Sequence, residues 1–184
     1  MCAFAVAAIA VHPAGASPIT ISTERHGEVI DIRASAVLRA DAATAWRVLT
    51  DYNRYPEFIP DLRSSRVTAR QGATVTVEQS GDASLWRLHM PIEITFEITE
   101  IPPSQLNSRA VAGSLRWLAS NYTIHWTRDG LRLDYVGHVI PGWEMLGWIE
   151  QSVIQQNISR QFQALADEIE RSSEAQDRRG NPAN

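Results

Sequence analysis

The 184-residue chain has one cysteine, Cys2, and no lysine. A single thiol near the N-terminus excludes a disulfide framework or a thiolate zinc site in the body of the protein. All 17 basic residues are arginine, a bias that genome base composition is enough to explain. The net charge is −4, so there is no broad basic character and nucleic acid is not an expected partner. No apolar run reaches the length of a membrane span; the run at residues 3–11 is too short. The chain also lacks G-x-S-x-G, H-E-x-x-H, a phosphate loop and G-x-G-x-x-G. His26, His89, His125 and His138 are scattered, with no carboxylate clearly joined to His89 or His125 by spacing. No catalytic residue, metal or cofactor is therefore expected.

What is present divides the chain into four parts. Residues 1–16 carry the apolar run, then His12-Pro13, then Ala14-Gly15-Ala16. This small-x-small ending has the pattern of a secretory signal peptide, which places the protein in the periplasm or outside the cell. No arginine precedes the apolar run, as a leader would require; a start codon assigned too late accounts for the gap. A packed or disordered apolar N-terminus is the alternative. Residues 17–27 read as a loose polar lead-in, residues 28–172 as one domain, and residues 173–184 as a polar disordered tail. The 44% apolar content suffices for one sizeable core.

Within the domain the apolar period changes twice. Ile30, Ile32, Ala34, Ala36 and Leu38 alternate with polar residues, as in a half-buried strand. Asp41 then has the chemistry of an N-cap, and a short helix follows with Trp46 and Leu49 on one side. A second short helical piece, residues 51–58, is bounded by Pro56 and Pro60. Strands are expected at 63–70, 73–80, 85–100, 106–113, 115–127 and 131–139. Gln71-Gly72 and Asp129-Gly130 mark hairpins, and Met90-Pro91 marks a bend, bulge or edge position. From about residue 144 to 172, Ile154, Ile158, Phe162, Leu165 and Ile169 recur at helical spacing. Glu168 and Glu170 fall mostly off that face. The order is α+β: a strand, two short helices, a run of strands, and a long helix.

The passage with Trp46, Val48, Leu49, Asp51, Tyr52, Tyr55, Pro56, Phe58 and Pro60 resembles the START-like (SRPBCC) superfamily, in particular its polyketide cyclase/dehydrase and coenzyme Q-binding branch. The resemblance implies a helix-grip fold. In it a curved antiparallel sheet of about seven strands wraps a long C-terminal helix, with two short helices after the first strand. It also implies a hydrophobic pocket between sheet and helix. The candidate lining residues are Val77, Ile94, Phe96, Tyr122, Trp126, Tyr135, Ile154, Ile158 and Phe162, any of which can equally be ordinary core. Trp143, Met145 and Trp148 are candidates for a pocket mouth or a membrane-touching lip, or else seat the helix on the sheet. Arg87, Glu93, Arg116 and Gln156 are candidate polar anchors.

The implied function is binding or transport of a lipid- or quinone-like molecule without catalysis. The expected protein is a monomer with transient membrane contact. Two alternatives stay open: a cyclase or dehydratase acting on a polyketide-like substrate, and an interaction module similar to the branch related to ribosome-association toxins. Export disfavours the last, because an exported protein does not meet ribosomes. N-terminal sequencing of the native protein checks the leader: a start near Ser17 is the expected result, and an intact Met1 reopens the third reading.

Overall fold

The computed structural model describes residues 19–85, 88–128, 130–142 and 151–180. Eight strands form one antiparallel sheet: β1 (Ile19–His26), β2 (Val29–Leu38), β3 (Leu62–Gln71), β4 (Thr74–Leu85), β5 (Leu88–Ile101), β6 (Gln105–Gly113), β7 (Leu115–Thr127) and β8 (Gly130–Pro141). Their spatial order is β1-β2-β8-β7-β6-β5-β4-β3. From β3 to β8 the chain runs as a meander, and β8 then pairs with β2. Helix α1 (Ala42–Thr50) and a 3₁₀ turn (Tyr52–Glu57) carry the chain from β2 to β3 at the far edge. Helix α2 (Gln151–Gly180) contacts α1, β1, β2 and β4. The architecture is the expected helix grip, with one strand more than the sequence suggested.

The alternation in the sequence sets which face is dry. Ile30, Ile32, Ala34, Ala36 and Leu38 of β2 are buried, as are Leu131, Leu133, Tyr135 and Val139 of β8. These residues share one face with Val75, Val77, Ile98, Leu106 and Ile124, and α2 adds Phe162, Leu165, Ala166 and Ile169. Pro91 does not break β5. Pairing with β6 ends at Ile94 and Gly113, so Pro91 lies where β4 flanks it opposite Asp82. A missing N–H is tolerated at such a place.

Three expectations change. The lead-in is not loose: Ile19–His26 is strand β1, in register with β2 from Ile19 opposite Ala36 to His26 opposite Val29. Its first two apolar side chains, Ile19 and Ile21, pack on the core while its outer residues are exposed, so the apolar signal was only two residues long. The tail is not disordered up to Gly180, because α2 continues there. Ser173 is buried, and Gln176 Oε1 lies 3.3 Å from the Thr44 hydroxyl and accepts from the Arg47 guanidinium at 3.1 Å. Finally, Glu168 and Glu170 are not on the solvent face; they are 4% and 6% exposed. Glu170 accepts the Arg39 backbone N–H at 2.8 Å, just past the end of β2. Glu168 is ion-paired with Arg171 and, at 3.5 Å, with Arg54 of the 3₁₀ turn.

The entry to α1 is capped as its sequence indicated. Asp41 Oδ1 accepts the Thr44 backbone N–H at 2.8 Å. Hydrogen bonding from the Thr44 side chain, then from backbone N–H groups, holds the Asp41 carboxyl below its usual range against the opposing effect of burial. The folded pKa is thus the lower one. The cap's contribution is fully present above the ordinary carboxylate pKa and is lost as pH falls through the folded value. Asp41→Ala should cost about 0.5–2 kcal/mol at neutral pH. Urea melts of the two proteins should converge as the solution is acidified; an unchanged gap at low pH would show that the cap is not electrostatic.

Candidate functional site: a cavity under the first half of α2

Between the concave face and α2 lies a cavity of about 370 Å³. Its wall draws on β2, β4, β5, β6, β7 and β8 as well as α2, so the sheet bends round the helix to enclose it. The volume falls within the range of small-molecule sites, and the wall is mostly apolar, as those sites are. The cavity owes its existence to uneven packing along α2. Phe162, Ala166 and Ile169 are pressed into the core, whereas Ile154 and Ile158, one and two turns earlier, are only partly covered and face the open space.

Six of the nine expected lining residues stand on this wall: Ile94, Phe96, Tyr122, Tyr135, Ile154 and Ile158. Val77 and Phe162 do not; both are buried in solid core beside it. Trp126 does not either, and is 64% exposed. It is in phase with Tyr122 and Ile124 and pairs with Leu131 near the β7–β8 hairpin, but it lies beyond Thr123, where the pairing of β7 with β6 ends. Trp143, Met145 and Trp148 lie outside the described residues, as does Arg87. Of the remaining polar anchors, Glu93, Arg116 and Gln156 are exposed and off the wall. Arg116 instead makes a two-pronged ion pair with Glu28, at 2.8 and 3.1 Å.

The sequence reading missed two sets of residues. The first is the aromatic part of the 3₁₀ turn. Tyr52 and Tyr55 line the cavity with their rings while their hydroxyls are committed elsewhere, Tyr52 to Glu100 at 3.1 Å and Tyr55 to the Leu49 carbonyl at 2.7 Å. Tyr55 packs edge-on against both Tyr52 and Phe58. The second set is polar. Ser108 and Ser120 face each other across β6 and β7 with their hydroxyl oxygens 2.6 Å apart. Both are on the wall, together with Gln79, Asn157 and Gln161. The alternation Leu106-x-Ser108 and Ser120-x-Tyr122-x-Ile124 carried that signal, since each serine is in phase with buried neighbours.

Charge reaches the described wall through Asp61 and Asp82, and both are paired. Asp61 meets Arg160 of α2, and Asp82 meets Arg63 at 3.3 Å. The phenols are a different matter. Burial pushes Tyr52, Tyr55, Tyr122 and Tyr135 above the usual phenol range, and the Ser120 hydroxyl opposes part of the shift at Tyr135. All four are neutral hydrogen-bonding groups near pH 7. The histidine–carboxylate contacts are elsewhere. His138 Nδ1 lies 2.6 Å from Asp31 and His125 Nε2 lies 3.0 Å from Asp134. Both are cross-strand pairs on the face opposite Leu133 and Tyr135. Among the described residues no group of three or more His, Cys, Asp or Glu side chains could hold a metal, and no helix is long and apolar enough to cross a membrane.

A sequence family described as polyketide cyclase / dehydrase and lipid transport matches residues 38–166. No curated protein matches the chain. Among solved structures, a STAR-related lipid transfer protein from Xanthomonas axonopodis superposes with a TM-score of 0.68 at 15% identity, over 86% of this chain and 96% of that one. The Zhui aromatase/cyclase from Streptomyces sp. R1128 superposes with a TM-score of 0.64 at 13% identity, over 82% and 95%. A START superfamily protein from Mycobacterium smegmatis gives 0.59 at 13% identity, over 82% and 99%. At such identities the likeness is one of fold.

Beside the cavity, Gly137 has no room for a side chain because of Tyr135, which lines the wall. A Cβ on Gly137 would lie 2.5 Å from the Tyr135 hydroxyl and 2.8 Å from the adjoining ring carbon. The Tyr135 ring leans over this glycine, with its centroid 4.7 Å from that of Tyr122 and the two planes tilted by 49°. Gly137→Ala should displace that buried ring and cost about 1–3 kcal/mol, the usual range for overpacking. Urea unfolding measures the loss, and near-UV circular dichroism should report the moved tyrosines; an unchanged spectrum at unchanged stability would contradict this packing.

Proposed function

The chain belongs to the polyketide cyclase / dehydrase and lipid transport family, and on that premise we propose that it binds and carries a hydrophobic small molecule, lipid- or quinone-like, in the cavity between sheet and α2. The observation that carries this reading is the mostly apolar space of about 370 Å³ left under Ile154 and Ile158. Its phenols stay protonated at neutral pH, so they can donate hydrogen bonds but do not serve as bases. A general base works best with a pKa near the working pH. The N-terminal pattern before Ser17 supports action in the periplasm or outside the cell.

A second reading, an aromatase- or cyclase-type enzyme, draws on one observation. The hydroxyls of Ser108 and Ser120 meet inside the cavity, where two polar groups could address one substrate atom. The experiment separates the two. Protein purified from its own host should show a co-purifying apolar ligand by native mass spectrometry, and N-phenyl-1-naphthylamine should bind with enhanced fluorescence. Ile158→Trp, which fills the cavity from α2, should abolish probe binding while leaving a cooperative melt. A clean apo mass together with no probe binding would overturn the carrier reading. Turnover of a poly-β-ketone thioester analogue would favour the enzyme.

A further inference from the structure

The cavity's polar groups are not spread evenly. Ser108 of β6 stands opposite Ser120 of β7, and Ser120 stands opposite Gly137 of β8. In the adjacent row Tyr122 of β7 stands opposite Tyr135 of β8. Because Gly137 has no side chain, the Tyr135 ring reaches across it, and its hydroxyl comes under the influence of Ser120. Three neighbouring strands thus bring hydroxyls to one patch of an otherwise apolar floor. The two serines share one hydrogen bond, at 2.6 Å. With the contact between Ser120 and Tyr135, two hydrogen bonds use two of the three hydroxyl protons, and one is left for an acceptor. In contact with hydrocarbon alone, such donors would lose their water without compensation.

We infer that this patch of hydroxyls, centred on Ser108 and Ser120, is a subsite for the neutral oxygen function, a carbonyl or hydroxyl, of an otherwise apolar ligand. The inference rests on the cavity being a ligand site and adds the chemistry of what it takes. A carboxylate or an ammonium is a poor fit. The charged residues on the described wall, Asp61 and Asp82, lie on and beside the β3–β4 pair and are matched by Arg160 and Arg63. At the hydroxyls themselves an ionised head would be desolvated with no unmatched opposite charge among the described wall residues to meet it. A neutral oxygen accepts the spare proton and leaves nothing buried and ionised.

The test uses two probes of the same shape, 2-acetylnaphthalene and 2-isopropenylnaphthalene, which differ by C=O against C=CH₂. Dissociation constants by calorimetry should favour the ketone over the alkene by roughly three- to tenfold, the worth of one neutral hydrogen bond. Ser108→Ala/Ser120→Ala should erase that preference and leave alkene binding unchanged. Removing both partners of a buried pair is close to neutral for stability, so the variant should fold. If its melt shows otherwise, Tyr135→Phe is read instead and should narrow the preference. Naphthalene-2-carboxylate should bind more weakly than the ketone at neutral pH. Equal affinities for ketone and alkene in the unaltered protein, or a preference that survives both variants, overturn the subsite while leaving the cavity a binding site. If neither neutral probe binds, nor N-phenyl-1-naphthylamine, the binding reading falls and the subsite with it.

Discussion

The seating of α2 on the sheet is the constraint on which the rest of the molecule depends. The helix is held from Phe162 onward. Phe162, Leu165, Ala166 and Ile169 fill the core, and three polar side chains fix the geometry around them. Glu170 accepts the Arg39 N–H where β2 ends, Glu168 pairs with Arg54 and Arg171, and Gln176 meets Thr44 and Arg47 of α1. A buried carboxylate without partners would cost several kcal/mol, so these contacts tolerate little displacement. They lock helix, β2 and the α1–3₁₀ segment into one relation. With that stretch pinned, the turns before Phe162 project over the bent sheet, and the gap beneath them becomes the cavity.

This explains why the fold was legible in the sequence and the site only partly so. Strand and helix periods depend on which residues must leave water, and Ile30 to Leu38 or Ile154 to Ile169 declare that locally. The edge strand β1 offered only Ile19 and Ile21, and much of its support is backbone pairing with β2, which leaves no trace in composition. Glu168 and Glu170 looked like surface because their partners, Arg54 and the Arg39 N–H, are more than a hundred residues away in the chain. The same limit applies to the cavity. Periodicity told which side chains point inward, and hence Ile94, Phe96, Tyr122 and Tyr135, but not where the interior is full. Val77 and Phe162 point inward into solid packing, and Trp126 is in phase yet lies past the end of the β6–β7 pairing and is exposed.

The resemblance-bearing passage also has a double use that its sequence did not reveal. Tyr52 and Tyr55 are structural through their hydroxyls and cavity-lining through their rings. Asp61, which follows Pro60, adopts a positive φ of 64°, its carbonyl accepts the Asp82 N–H at 2.8 Å, and its carboxylate meets Arg160 on α2. Asp is among the few non-glycine residues that visit this backbone region readily. One short stretch therefore turns the chain into β3, ties β3 to β4 and reaches the helix on the far side of the cavity.

A family that holds both lipid transport proteins and cyclases poses a question of chemistry, since both need an apolar interior and differ in what lies on its surface. Here the answer turns on protonation. Burial in this cavity acts on phenols in one direction, away from ionisation, and it would act the same way on any unpaired acid placed beside them. The interior is therefore suited to hydroxyls that donate and accept while remaining neutral. Such a surface can orient an oxygen and discriminate its presence. The carboxylates of the described wall stand on and beside the β3–β4 pair, already matched by arginines. Opening the Asp61 pair towards a ligand would come at the cost of the contact that ties Arg160 of α2 to the start of β3.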